Sequence, residues 1–220
     1  MNKYLKVFLS ASLCCGNLFA ADLANYTSTF SLFNKIKLII LKNDISQVNN
    51  IDAIVNPANP QLLGGGGACG AIFNVAGWDT LQNACDAITQ NYPNNRVPWG
   101  SAHVTSSCAL QNQDIKYVIH AVGPDCSVIT TTSEQDRLLE QTYINTLDQA
   151  CQKQLHSIAF PFISAGIYGF PKERAAQIAL KTVQTYCKNH KSISLKKIYF
   201  VLFSKEDVEI FITIAHTFKS

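Results

Sequence analysis

The chain has 220 residues, room for one sizeable core and a short appendage but not for two full domains. Hydrophobic residues make up 47% and charged residues 15%, a balance that excludes a disordered chain. The formal net charge of +3 includes Lys3 and Lys6 of the first twenty residues; the remainder is close to neutral, which excludes an electrostatic case for nucleic acid.

The N-terminus reads as a processing signal. Lys3 and Lys6 precede Val7 to Ala20, a charge-free stretch of apolar and small residues that ends at Ala20-Ala21 before Asp22. This is the pattern of a secretory signal peptide, and the apolar run is short for a bilayer span. The expectation is a signal peptide over 1–21, a folded domain over 22–220 and export to the periplasm or medium. An uncleaved anchor or an apolar tail on a cytosolic protein are the alternatives. Six cysteines follow: Cys69, Cys85, Cys108, Cys126, Cys151 and Cys187. An even number in an exported chain permits disulfides. Cys85, Cys151 and Cys187 sit in helical apolar patterns and read equally well as buried thiols. No CxxC and no zinc-finger spacing occurs, so no metal or other cofactor is expected.

In chain order, Lys35 to Leu41 and Ile51 to Val55 read as strands. Both lack polar alternation, as strands covered on both faces do. Four glycines, Gly64 to Gly67, break the chain before an apolar helix beginning near Ala71. Asp79 to Gln90 is helical, with Thr80, Asp79 or Gly77 as its cap and Leu81, Ala84, Cys85 and Ile88 on one face. Ala102 to Ser106 and Tyr117 to Ala121 read as strands. Ser133 is the expected cap of a helix running to about Lys153. A strand at Ser157 to Phe162, a helix at Lys172 to Lys188 behind Pro171, a strand at Lys197 to Phe203 and a helix at Glu206 to Phe218 complete the chain. Strands alternating with helices imply an α/β sandwich with a largely parallel sheet.

Two stretches carry chemistry. In IDAIVNPANPQLLGGGGACGAIFNVAG, a buried strand runs into two asparagines, four glycines and a helix. Four glycines are entropically costly. They make sense where backbone N–H groups approach an anion at a helix N-terminus. Gly65, Gly67 and Gly70 also satisfy GxGxxG, but eight residues separate Val55 from Gly64, whereas a dinucleotide fingerprint follows its strand directly. In FPFISAGIYGFP, a second strand ends in a second glycine-containing loop. Two such loops suggest the two sides of a diphosphate cleft at the C-terminal ends of parallel strands.

These runs resemble the macrodomain signature: NPANPQLLGGGGACG matches the family's NAAN and glycine run, and SAGIYGFP its second loop. VPWGSA, YVIHAVGP and the NDI at Asn43 to Ile45 are similar to further family segments in the family's order. The resemblance covers about residues 33–215. Within the family it is nearest to the mono-ADP-ribosyl hydrolases and O-acetyl-ADP-ribose deacetylases. It implies a three-layer α/β/α sandwich with a largely parallel mixed sheet, and ADP-ribose as ligand. Asp44 would accept from the adenine amino group, with the Ile45 N–H nearby and Phe203 against the ring. Gly64, Gly65, Gly66, Gly67 and Ala68 would line the distal ribose and diphosphate. Ser164, Ala165, Gly166, Ile167, Tyr168 and Gly169 would close over the diphosphate. Tyr168 would cover the distal ribose, and Asn59 would bond one of its hydroxyls. Plainer readings stand beside these: Asp44 or Asn59 as turn residues, Phe203 as core, and His120 as a satisfied core histidine.

One departure bears on activity. Where the hydrolases of that branch carry an aspartate that orients water, this chain has Cys69, which is no carboxylate. Losing a positioned base typically costs about 10²–10⁴ in rate. Some relatives lack the aspartate and still hydrolyse, through the counterpart of Asn59 and water activated by the diphosphate. Cys69 as a nucleophile, activated by the helix N-terminus, is a minor alternative. The resemblance thus implies hydrolysis of ADP-ribosyl esters without a metal, or binding without turnover. NAD itself as ligand is a third reading, disfavoured because the close glycine loop would exclude its nicotinamide end. The implied partners are ADP-ribose, ADP-ribosylated proteins or O-acetyl-ADP-ribose. Nothing requires nucleic acid, a membrane after signal cleavage, or more than a monomer.

Overall fold

The computed structural model describes residues 27–190 and 192–218, so the expected signal peptide lies outside the described residues. Seven strands form one mixed sheet in the order β1-β2-β7-β6-β3-β5-β4. They are β1 Thr27–Ser31, β2 Lys37–Lys42, β3 Ala53–Pro57, β4 Ala102–Ser106, β5 Tyr117–Ala121, β6 Ser157–Phe160 and β7 Lys197–Leu202. The five inner strands run parallel, and the edge strands β1 and β4 pair antiparallel with β2 and β5. The inner strands bear the apolar runs because both of their faces are covered.

Helices cover the sheet on both sides. On one face lie α1 (Gly67–Ala76) and α2 (Trp78–Thr89). There Ile72, Phe73, Leu81 and Cys85 pack against Ile54, Val118 and Val201. On the other lie α3 (Thr132–Gln152), α4 (Lys172–Asn189) and α5 (Lys205–Thr217). Tyr143, Leu147, Val183 and Phe211 meet Ile40, Val55, Ile158 and Phe200 on that side. Alternation along β3 sends Ile54 to one layer and Ala53 and Val55 to the other. The result is the expected three-layer sandwich.

Several boundaries differ from the sequence reading. The first helix begins at Gly67, not Ala71, so its N-terminus lies inside the glycine run. The long helix begins at Thr132 behind Thr131, not at a Ser133 cap, and Thr131 makes no side-chain capping bond. Strand β6 stops at Phe160, because Pro161 has no N–H to continue a ladder. Strand β1 was not foreseen: TSTFS alternates exposed and half-exposed positions, as a solvated edge does. The six cysteines considered above are all free thiols, with Cys69, Cys85 and Cys187 buried.

Asp52 pins the end of the sheet where β3, β5 and β6 begin. Its carboxylate accepts from Lys116 Nζ at 2.7 Å, His156 N at 2.7 Å and Ser157 N at 3.0 Å. The opposite end, where the parallel strands finish, is left free for the loops that carry the site.

Candidate functional site

At the C-terminal ends of β2, β7, β6 and β3 lies a cleft of about 790 Å³. Adjacent strands are ~4.8 Å apart, so β2 and β3 set its two ends roughly 14 Å from one another. One wall is the start of α1. Gly66 is its N-cap and offers no side chain, and the amides of Gly67, Ala68 and Cys69 find no backbone acceptor among the described residues. The helix therefore presents free N–H groups and the positive end of its dipole to the cleft. Gly67 has φ +60°, which favours glycine. At Gly70 a side chain would strike the Gly65 carbonyl, so α1 can back onto the loop only with glycine there.

The facing wall is the loop after β6. Phe170 N donates to Ser164 O at 3.0 Å and Gly169 N to Gly166 O at 2.9 Å, closing a tight turn. The N–H groups of residues 165–168 donate no backbone hydrogen bond among the described residues. Ser164 has φ +62°, and its buried hydroxyl has no partner among the described residues. The loop fits because Gly123, which sequence reading did not single out, leaves room for the Ser164 side chain. The Ile167 side chain, 85% exposed, reaches toward Gly66 across the gap.

At the β2–β7 end, Asp44 Oδ1 accepts from Ser46 N at 2.9 Å and Ser46 Oγ at 2.8 Å, capping a short 3₁₀ turn. Asp44 is thus a turn residue, yet its Oδ2 has no partner among the described residues. Asn43 N donates to Leu202 O at 3.0 Å, which brings this turn beside Phe203. Phe203 is 77% exposed, so it is not core, and its ring lines the cleft. Sequence reading missed Lys172 and Asp207, which pair at 2.9 Å beside it. The Asp207 carboxylate holds the Lys172 pKa above its ordinary value.

At the β3 end, Asn59 Nδ2 donates to Leu63 O at 2.8 Å and its Oδ1 accepts from Leu63 N at 3.1 Å. Cys69 is buried, and that burial raises its thiol pKa despite the Gly65 N–H and the Asn56 amide, which act to lower it. The helix N-terminus does not win, and an activated nucleophile is not what this geometry provides. The carboxylates lining the cleft are Asp44 and Asp207, both at the far end. Tyr168 stands edge-on to Trp99 at 5.8 Å, and burial pushes its phenol pKa up to about 12.

Of the expected site residues, Asp44, Ile45, Asn59, Gly65, Gly66, Gly67, Ala68, Cys69, Ser164, Ala165, Gly166, Ile167, Tyr168 and Phe203 line this one cleft. Gly64 and Gly169 do not. The Gly64 N–H is taken by Gln82 Oε1 at 2.9 Å, and Gly169 closes its own turn at φ +66°. His120 is a satisfied core histidine, with Asn56 Nδ2 at 3.1 Å from Nδ1 and Thr105 Oγ1 at 2.9 Å from Nε2.

The Macro domain family model matches residues 55–179. A macro domain-containing protein of Listeria monocytogenes is 40% identical over 179 residues, 80% of this chain and 95% of its own. The O-acetyl-ADP-ribose deacetylase of Escherichia fergusonii is 38% identical over 179 residues, 80% of this chain and 94% of its own. The structure of an Oceanobacillus iheyensis macrodomain with ADP matches with a TM-score of 0.78 at 34% identity, covering 87% of this chain and 95% of that one. With the two amide-lined loops facing each other across the ends of a parallel sheet, the sequence matches and the shared fold agree: the chain belongs to the macro domain family.

Proposed function

We propose that the chain binds ADP-ribose along this cleft and hydrolyses ADP-ribosyl esters, either O-acetyl-ADP-ribose or mono-ADP-ribosylated acidic side chains. The observation that carries the reading is the pair of unpartnered amide arrays, Gly67 to Cys69 and residues 165–168, on opposite walls. Such arrays suit a diphosphate. The base would lie between Asp44 and Phe203, and the distal ribose beside Asn59, Cys69 and Tyr168. The similar Escherichia protein is an O-acetyl-ADP-ribose deacetylase, and the similar Oceanobacillus structure holds ADP.

Cys69 supplies no base at the reacting end, so attacking water would lose its proton to the ligand's own diphosphate while Asn59 holds the ribose. The spare N–H and lone pair of the Asn59 amide serve that role. The same cysteine favours a second reading, binding without turnover. Single-turnover release of ADP-ribose from a glutamate-modified protein separates the two, run without reductant beside Asn59→Ala and Cys69→Asp. Release that vanishes in Asn59→Ala supports hydrolysis. Release only from Cys69→Asp supports a binding module with an intact cleft. The proposal extends to export through residues 1–21; a mature protein found only in the producer's cytoplasm would remove that part.

A further inference from the structure

Trp78, Gln82 and Asp86 recur at every fourth position of α2 and share one face. Trp78 packs so closely on Gly64 that a side chain there would meet ring carbon Cζ2 at 2.6 Å. One turn on, Gln82 Oε1 accepts from Gly64 N at 2.9 Å, and Gln82 Nε2 lies 3.5 Å from the Leu62 carbonyl. A further turn on, Asp86 Oδ1 accepts from Gln82 Nε2 at 2.8 Å. Asp86 Oδ1 accepts and the Gly64 N–H donates, so together they fix which way round the Gln82 amide sits, with its oxygen toward Gly64. The turn it grips is not one the chain adopts freely, since Leu62 has φ +54°.

The other side of that turn belongs to the cleft. Leu63 makes both bonds to Asn59, and its carbonyl also faces the Cys69 thiol at 3.9 Å. Residues 62–64 are therefore held by Gln82 from behind and hold Asn59 and Cys69 in front. Gly65 to Ala68, which line the cleft, follow directly.

We infer that Gln82, oriented by Asp86, is a positioning residue for the cleft: it sets the turn at 62–64 and so aims the Asn59 amide and the glycine-loop amides at the distal half of the ligand. This rests on the proposed ADP-ribose reading. Gln82 itself does not line the cleft.

The test compares ADP-ribose binding by calorimetry with adenosine binding by NMR titration. It uses the full chain, Gln82→Leu, and the double variant Gln82→Glu/Asp86→Asn. The double variant swaps roles: the carboxylate introduced at 82 still accepts from Gly64, and the amide introduced at 86 donates to it. Gln82→Leu is expected to bind ADP-ribose about tenfold more weakly, the worth of one well-placed hydrogen bond, while adenosine, which reaches only the Asp44–Phe203 end, binds unchanged. The double variant keeps the Gly64 bond but gives up the longer Gln82–Leu62 contact, so it should recover most of the loss, to within about threefold of the parent. Three results would overturn the inference: Gln82→Leu matching the parent for ADP-ribose, equal loss for both ligands, or a double variant no better than Gln82→Leu. A parent chain that fails to bind ADP-ribose removes the functional reading, and the inference with it.

Discussion

Asn59 and Leu63 are joined twice, side-chain amide to backbone carbonyl at 2.8 Å and backbone N–H to side-chain oxygen at 3.1 Å. A primary amide has two N–H groups and two lone pairs, so each half keeps capacity for one more partner. Asn59 therefore closes the turn before the glycine loop and still offers a donor and an acceptor to the cleft. The structural bonds to Leu63 thus leave room for the ligand contact proposed above.

Asn59→Ala should then lose both at once. Two hydrogen bonds in a half-exposed turn are worth about 1–2 kcal/mol of stability, read as a fall in the denaturation midpoint. Affinity for ADP-ribose should fall further than in Gln82→Leu, because the direct contact goes as well. An unchanged midpoint in Asn59→Ala would show that the Leu63 bonds carry no weight.

Cys69 should react as a buried thiol. Burial raises its pKa above the ordinary 9.0, so at neutral pH it is protonated. Labelling with iodoacetamide, mapped by mass spectrometry, should be slow at neutral pH, still climbing at pH 9.0 and blocked by ADP-ribose. Rapid labelling below neutrality would instead reveal a thiolate and revive the nucleophile reading.

Two glycines five residues apart, Gly65 in the loop and Gly70 in α1, should respond differently. Gly70→Ala drives a methyl into the Gly65 carbonyl and should cost about 1–3 kcal/mol by overpacking. At Gly65 a side chain meets nothing within 4 Å, so Gly65→Ala should leave the thermal midpoint in place and change ADP-ribose affinity alone. Similar midpoints for both variants would contradict this packing.

Acid should weaken the fold in two stages. Burial, helped by His103, pushes the His120 pKa down from 6.5 to about 3. The unfolded chain therefore takes up a proton first, so stability is complete above 6.5 and falls with pH below it, by about 1.4 kcal/mol per unit. Burial alone would raise the Asp52 pKa, but Lys116 and the His156 and Ser157 amides hold it below 3.8. Its contribution is present above 3.8 and is lost as pH falls through the lower folded value. Urea midpoints followed against pH should show both stages. Asp52→Asn should shrink the lower stage and His120→Gln the upper, where the contribution of His103, whose pKa burial also lowers, remains; a flat profile between neutrality and the carboxylate range would refute the His120 assignment.

The sequence by itself determined the layers and the location of the site. Runs such as KIKLIIL and KIYFVLF read as inner strands, and a glycine run that leads into a helix suits the presentation of amides. Asp44, Asn59, Cys69 and Phe203 were singled out by the resemblance of their segments to those of macrodomains. Tertiary structure decided which way each group faces. It turned the Gly64 N–H away to Gln82, paired Lys172 with Asp207 from two separate helices, and placed Cys69 where burial outweighs the helix terminus. It also added the polar edge strand β1, which only its partner β2 makes a strand. Periodicity and propensity act over a few neighbouring residues. The direction of a hydrogen bond between Gly64 and Gln82, eighteen residues apart, is set by how α2 packs beneath the loop.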